Sequence, residues 1–149
     1  MTQTKQVLLI HGPNLNMLGK REPEIYGSTT LENINKEMME LGKEKGLQIH
    51  TFQSNHEGAM IDRIQACFEV IHGIIINPGA YTHTSVGIRD ALLSVSLPVV
   101  EIHLSNIYKR EPFRHTSMVA DIAVGQISGF GVYGYTLAVN AMANILDVK

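Results

Sequence analysis

Glu101 and His103 stand two residues apart in VVEIH, an otherwise apolar run from 99 to 103. On a strand the two side chains leave the same face, so the carboxylate can orient the imidazole and support its charged form. That pairing suits a general acid. The bland alternative is a buried Glu satisfied by backbone groups, with an unrelated His at the strand end. Arg21 and Tyr26 share the segment GPNLNMLGKREPEIYGS at 12 to 28. A guanidinium within a few ångströms favours the phenolate of a tyrosine, whose reference pKa is about 10, and makes it a base near neutral pH. Such a base suits removal of a carbon-bound proton beside a carbonyl. Here the alternative is a loop Arg and Tyr with surface roles only.

Other chemistries find less support. There is no GxSxG elbow, and Cys67 falls on an apolar stripe with Met60, Ile64 and Ile71, where a structural thiol is the plain reading. Lys5, Lys20, Lys36, Lys43, Lys45, Lys109 and Lys149 are expected in termini, loops or solvent-facing helix positions, so no buried Schiff-base lysine is expected. His11, His50, His56, His72, His83, His103 and His115 form no HxH or HExxH group, and no metal site is expected. Gly129, Gly131 and Gly134 satisfy GxGxxG, but after the last strand and with only 15 residues remaining, so the acidic ribose partner has no room. Tight strand-to-helix packing explains those glycines better than phosphate binding. Proton chemistry remains.

Five β-rich runs must position these groups: VLLIH at 7 to 11, LQIHTF at 47 to 52, GIIIN at 73 to 77, VVEIH at 99 to 103 and AVGQI at 123 to 127. Several are nearly unbroken in apolar residues, as strands covered on both faces of a parallel sheet are. Helical periods lie between them: Leu31, Ile34, Met38, Leu41; Met60, Ile61, Ile64, Cys67, Phe68, Ile71; Ile88, Ala91, Leu92, Val95; and Leu137, Ala138, Met142, Ile145. A Thr29 to Glu32 capping box and Asn55 before Glu57 mark helix starts, while Gly46, Gly73 and Leu97-Pro98 mark helix ends. The alternation predicts one α/β domain over 1–149: a flavodoxin-like, doubly wound, five-stranded parallel sheet in order 2-1-3-4-5.

Strand spacing locates the site. Successive strands begin about 25 residues apart except the first pair, about 40 apart, and the surplus falls in residues 12 to 28, read as an active-site lid. Ligands of such sheets bind beyond the strand C-termini at the switch point, here between strands 1 and 3. Three loops converge there. They bring Asn14, Arg21 and Tyr26, then Asn77 and His83, then Ser105, Asn106 and Arg114, a set suited to a small, oxygen-rich, anionic substrate.

Composition narrows the class. Among 149 residues, 12 Lys plus Arg face 14 Asp plus Glu without a basic run, so no nucleic-acid partner is expected. The apolar run Val7 to Ile10 is too short for a signal-peptide core or a membrane span. One cysteine excludes an internal disulfide and fits a reducing cytoplasm. The charged fraction, 17%, lies below the roughly 25% usual for soluble domains, a hint of oligomerisation. Two other classes share the fold. A flavin-binding electron carrier needs a Ser/Thr-rich loop after strand 1, and a receiver domain needs clustered Asp after strand 1, an Asp ending strand 3 and a Lys ending strand 5.

The segments HGPNLNMLGKREPEIYG, QSNHEG, INPGAYTHTSV, VEIHLSNIYKREPFRHTS and GFGVYGY, in this order, resemble the type II dehydroquinase (3-dehydroquinate dehydratase) family over nearly the whole chain. The resemblance implies dehydration of 3-dehydroquinate to 3-dehydroshikimate, a step of the shikimate pathway of aromatic amino acid biosynthesis, without metal or organic cofactor. It implies a dodecamer of four trimers. Tyr26 is then the base for the C2 proton, held ionised by Arg21. His103, backed by Glu101, protonates the departing C1 hydroxyl, and Asn14 stabilises the enolate through a water. Asn77, His83, Arg114 and the Leu104-Ser105 segment bind the carboxylate and hydroxyls, and Asp90 reaches in from a neighbouring subunit. FRHTS departs from the family, many of whose members carry a second basic residue or His before the Ser.

Overall fold

Isoleucines 74, 75 and 76 are all fully buried, although their side chains leave alternate faces of one strand. Helices must therefore cover both faces. The structure, a computed structural model, describes residues 3–20, 24 and 27–148. It has strands β1 (Lys5–His11), β2 (Leu47–Gln53), β3 (Gly73–Asn77), β4 (Val99–His103) and β5 (Gly125–Ser128). Its α-helices, among the described residues, are α1 (Leu31–Glu44), α2 (Glu57–Gln65), α3 (Val86–Val95) and α4 (Tyr133–Ile145). The strands form one parallel sheet in the predicted order β2-β1-β3-β4-β5.

One core joins Val7, Leu9, Ile75, Val100 and Ile102 to α1 and α4, and a second joins Leu8, Ile10, Ile74, Ile76 and Val99 to α2 and α3. Truncating any of these isoleucines to Ala costs about 2–5 kcal/mol, because the rigid sheet cannot collapse into the space left. The alternation also sorts the polar residues at the strand ends. His11 and Asn77 continue the α1/α4 face, whereas Glu101 and His103 continue the α2/α3 face. No helix among the described residues is long and apolar enough to cross a membrane.

Local signals differ from the sequence reading in several places. The α1 N-cap is Thr30, whose Oγ1 accepts from Asn33 N at 3.2 Å, not Thr29. Glu32 therefore lies in the first turn, facing the positive end of the helix, rather than closing a reciprocal box. His56 takes the N-cap position of α2 without a side-chain bond, since the Asn55 amide is engaged elsewhere. The α2 helix stops at Gln65, so the apolar period breaks and Phe68 is exposed while Cys67 and Ile71 stay buried. Gly73 opens β3 instead of ending a helix, and Lys5, expected outside the strands, is the first residue of β1. In α4 the buried stripe is Tyr135, Ala138, Val139 and Met142, leaving Leu137 and Ile145 only half-buried. The fifth strand starts at Gly125 rather than Ala123, and Val124 is exposed beside it at the sheet edge.

Candidate active site

The loop after β1 does not begin as a loose excursion. Leu15 and Leu18 are buried in the α1/α4 core, with a single 3₁₀ turn at Leu15–Met17 between β1 and the rest of the segment. Gly12 N donates to Asn77 O at 2.7 Å, and a Cβ on Gly12 would stand 2.3 Å from Pro78 O, so only glycine lets the β1 and β3 loops meet. Their meeting walls off a cleft of about 250 Å³ at the C-terminal ends of β1, β3 and β4.

Asn14, Asn77, His83, His103, Leu104, Ser105 and Arg114 all line this cleft, as expected from sequence. Glu101 stands behind His103, fully buried. Asp90 is exposed on α3 and does not line the cleft of its own chain. Asn106 spends its side chain accepting from Tyr108 N in a loop turn. Arg21 and Tyr26 lie outside the described residues. Arg110, not singled out from sequence, also lines the cleft; with Arg114 it outnumbers Glu111, which Arg114 Nε reaches at 3.1 Å. That rim favours an anion.

His103 Nε2 lies 2.5 Å from Glu101 Oε2. The carboxylate also accepts from Thr82 Oγ1 at 2.6 Å and from Ser117 Oγ at 2.8 and 3.0 Å. Ser117 Oγ itself accepts from Val119 N and Ala120 N, so its only proton goes to Glu101. Burial alone would raise the Glu101 pKa, but the donors His103, Thr82 and Ser117 together hold the carboxyl below its ordinary range. These partners are side chains, which removes the reading of Glu101 as a residue satisfied by backbone groups. With Nε2 committed, His103 turns Nδ1 to the cleft without a protein partner among the described residues.

His83 is stacked on His103 with centroids 6.5 Å apart, and its Nδ1 donates to Thr116 O at 2.9 Å, leaving Nε2 without a protein partner among the described residues. What His83 takes from Thr116 is a backbone carbonyl, so the FRHTS departure leaves this contact intact. Asn14 adopts the left-handed conformation (φ 71°), which asparagine tolerates better than most residues, and its N–H donates to Asn55 Oδ1 at 3.0 Å. Asn55 is steadied in turn by Gln53 Nε2 on its side chain and by the Tyr81 hydroxyl on its carbonyl.

A second buried network escaped the sequence reading. The Tyr135 hydroxyl lies 3.1 Å from both Asn77 Nδ2 and His11 Nδ1, and His11 Nε2 lies 2.8 Å from Asn35 Oδ1. Burial pushes the His11 pKa from 6.5 down to about 4, only partly opposed by the Asn35 bond. Unfolded chains therefore bind a proton between those values that the folded protein excludes, and stability falls as pH falls from 6.5 to 4. The shift corresponds to about 3 kcal/mol. Glu101, with its pKa depressed, adds a further loss at still lower pH. His11→Asn is expected to flatten the curve of Tm against pH between 6.5 and 4; an unchanged slope would mean that His11 is not held neutral. Among the described residues, no three His, Cys, Asp or Glu side chains gather as metal ligands. The glycines of GxGxxG serve packing in part: Cβ atoms on Gly129 and Gly134 would meet Asn106 Cβ at 2.9 Å and Ile102 Cδ1 at 3.1 Å, whereas Gly131 faces open space with φ +61°.

A family model described as "Dehydroquinase class II" matches residues 5–143. A 3-dehydroquinate dehydratase of Ruegeria pomeroyi is 57% identical over 137 residues, covering 92% of this chain and 92% of that protein. A catabolic 3-dehydroquinase of Penicillium rubens is 58% identical over 135 residues, covering 91% of this chain and 87% of that protein. The crystal structure of a type II dehydroquinase from Propionibacterium acnes is similar with a TM-score of 0.90 at 40% identity, over 97% of this chain and 99% of that one.

Proposed function

The chain belongs to the class II dehydroquinase family, and from that premise we infer that its cleft dehydrates 3-dehydroquinate to 3-dehydroshikimate. The observation that carries this reading is His103, buried against an ionised carboxylate on one ring nitrogen and open to a polar cleft on the other. Relatives named for catabolism and those without that label stand at similar identity, so what they share is the reaction rather than one pathway.

The chemistry runs in two steps. Tyr26, with Arg21 assigned the role of holding it ionised, takes the C2 proton, and the electron pair moves into the neighbouring carbonyl to give an enolate. Asn14, through a water, stabilises that oxygen. The enolate then collapses, breaking the bond from C1 to its hydroxyl, while His103 delivers a proton from Nδ1 and water departs. One proton has entered at Tyr26 and one has left His103, so a net transfer between them through solvent resets the enzyme. Glu101 stabilises the imidazolium by Coulomb attraction and holds the ring in place. Asn77, His83, Leu104, Ser105 and Arg114 bind the carboxylate and hydroxyls. No step calls for a metal or an organic cofactor.

The electron-carrier reading lacks its Ser/Thr-rich loop, since Gly12, Pro13, Asn14 and Leu15 follow β1 directly. The receiver reading fails because β3 ends in Asn77 and β5 in Ser128. To test the dehydratase reading, the rise of ultraviolet absorbance from the conjugated product is followed with protein treated with chelator, and separately with borohydride in the presence of substrate. Activity is expected to survive both. Inactivation by borohydride would signal a Schiff base and end the enolate mechanism.

We place the enzyme in the cytoplasm as a dodecamer of four trimers. The single cysteine, the low charge fraction and the exposed apolar side chains Val86 and Leu93, on the same helix as Asp90, support this. Asp90, outside its own cleft, then completes a neighbour's. Light scattering is expected to report about twelve chains of 16.5 kDa. Hybrids reassembled from Asp90→Ala and His103→Ala subunits are expected to regain activity absent from either parent, and hybrids as inactive as the parents would refute the intersubunit role.

A further inference from the structure

Proton counting gives the buried network on the α1/α4 face a single direction. Gly79 N–H donates to Asn77 Oδ1 at 3.1 Å, so the carboxamide oxygen must face Gly79 and the Nδ2 group must face Tyr135. Tyr135 thus accepts from Asn77, and its one proton is left for His11 Nδ1. His11 in turn carries its proton on Nε2 and gives it to Asn35 Oδ1. Each group has one arrangement that satisfies its neighbours. His11, Asn77 and Tyr135 are all buried, so turning any of them the wrong way leaves polar atoms unpaired and away from water. Turning the Asn77 carboxamide over, for example, would set its Nδ2 against the Gly79 N–H and its oxygen against a tyrosine hydroxyl already committed to His11.

We propose that Tyr135 and His11 are positioning residues that lock the Asn77 carboxamide so that it offers the substrate an N–H donor through the second Nδ2 proton. This rests on the reading that Asn77 binds substrate in the cleft it lines. The lock selects for an acceptor oxygen, a carboxylate or hydroxyl oxygen, at that point of the ligand. It also explains why β1 ends in a histidine whose ring never reaches the cleft: His11 pairs with Asn77 across β1 and β3, and the two strand ends are tied together through α4.

The test uses steady-state kinetics with 3-dehydroquinate on the whole protein. Tyr135→Phe keeps the ring and removes the hydroxyl, and is expected to raise KM about tenfold with kcat within about twofold, since a binding contact present in both ground and transition states is loosened. In an Asn77→Ala background the same change is expected to add nothing to KM. If Tyr135→Phe folds poorly, the His11 pair carries the test: His11→Leu removes the acceptor and is expected to raise KM to the same degree. His11→Asn, which brings an amide oxygen to the place of Nδ1, is expected to recover most of the affinity. A Tyr135→Phe or His11→Leu protein with lower Tm but unchanged KM overturns the lock, as does a KM effect that persists in full without Asn77. Should Asn77→Ala itself bind substrate normally, it is the assignment of Asn77 that fails, and the lock with it.

Discussion

His103→Ala is expected to lower kcat by about 10²–10⁴-fold, the range lost with a positioned general acid. The ring is placed to give this effect. Its Nε2 is anchored on Glu101, which Thr82 and Ser117 keep as an acceptor, and its Nδ1 faces the cleft. Glu101→Gln separates charge from shape. A glutamine retains one oxygen, but its amide N–H₂ group must face at least one of the donors that now converge on the carboxylate, so stability falls as well as rate. The decisive readout is the pH profile. With the negative charge gone, the imidazolium loses its Coulomb support, and the alkaline limb of kcat against pH moves to lower pH with a loss smaller than that of His103→Ala. A Glu101→Gln protein with lower Tm but an unmoved alkaline limb would show that Glu101 only fills space. Linkage gives the stability sign independently. The Glu101 pKa is lowered in the folded state, so its stabilising effect is present above the ordinary carboxyl value and is lost as pH falls through the depressed one.

Tyr26→Phe is expected to lower kcat by a similar factor, about 10²–10⁴-fold, with little change in ligand affinity. Phenylalanine keeps the ring but offers no site for the C2 proton, so the interaction lost exists only in the transition state. Arg21→Ala acts on the same group through charge. Without the guanidinium the phenolate is disfavoured, and because the base works deprotonated, the acid limb of the pH–rate profile moves to higher pH. The two variants thus leave different signatures: Tyr26→Phe is slow at every pH, whereas Arg21→Ala recovers part of its rate in alkali. Near wild-type kcat at neutral pH in either variant would return the base assignment to zero.

Much of this site was legible because strand ends in a doubly wound sheet are predictable in kind. Asn77 and His103 are the last residues of β3 and β4, and Asn14, His83, Leu104, Ser105 and Arg114 follow strand ends closely enough that chain length alone confines them near the cleft. Thr82 and Ser117 were not legible as partners of Glu101, because nothing local to either hydroxyl distinguishes it from a loop residue. Tyr133 and Tyr135 show the same limit on a helix. They are two residues apart in the same short motif, yet Tyr133 is 62% exposed and Tyr135 fully buried. The glycines around them set the approach of α4 to the sheet, and helix rotation then decides which ring points inward.

Sequence alone determined the order of elements, the five-stranded parallel sheet and the identity of the acid–base candidates. Apolar periodicity, strand length and an i, i+2 pair of ionisable side chains are local properties that each segment carries in itself. Tertiary structure alone decided which groups hold Glu101 and the binding residue Asn77 in place. The bonds from Thr82 and Ser117 to Glu101, and from Tyr135 to His11 and Asn77, join residues 16 to 124 positions apart. Such bonds form only when packing on opposite faces of the sheet brings buried polar groups together, each forced to find a partner once water is excluded.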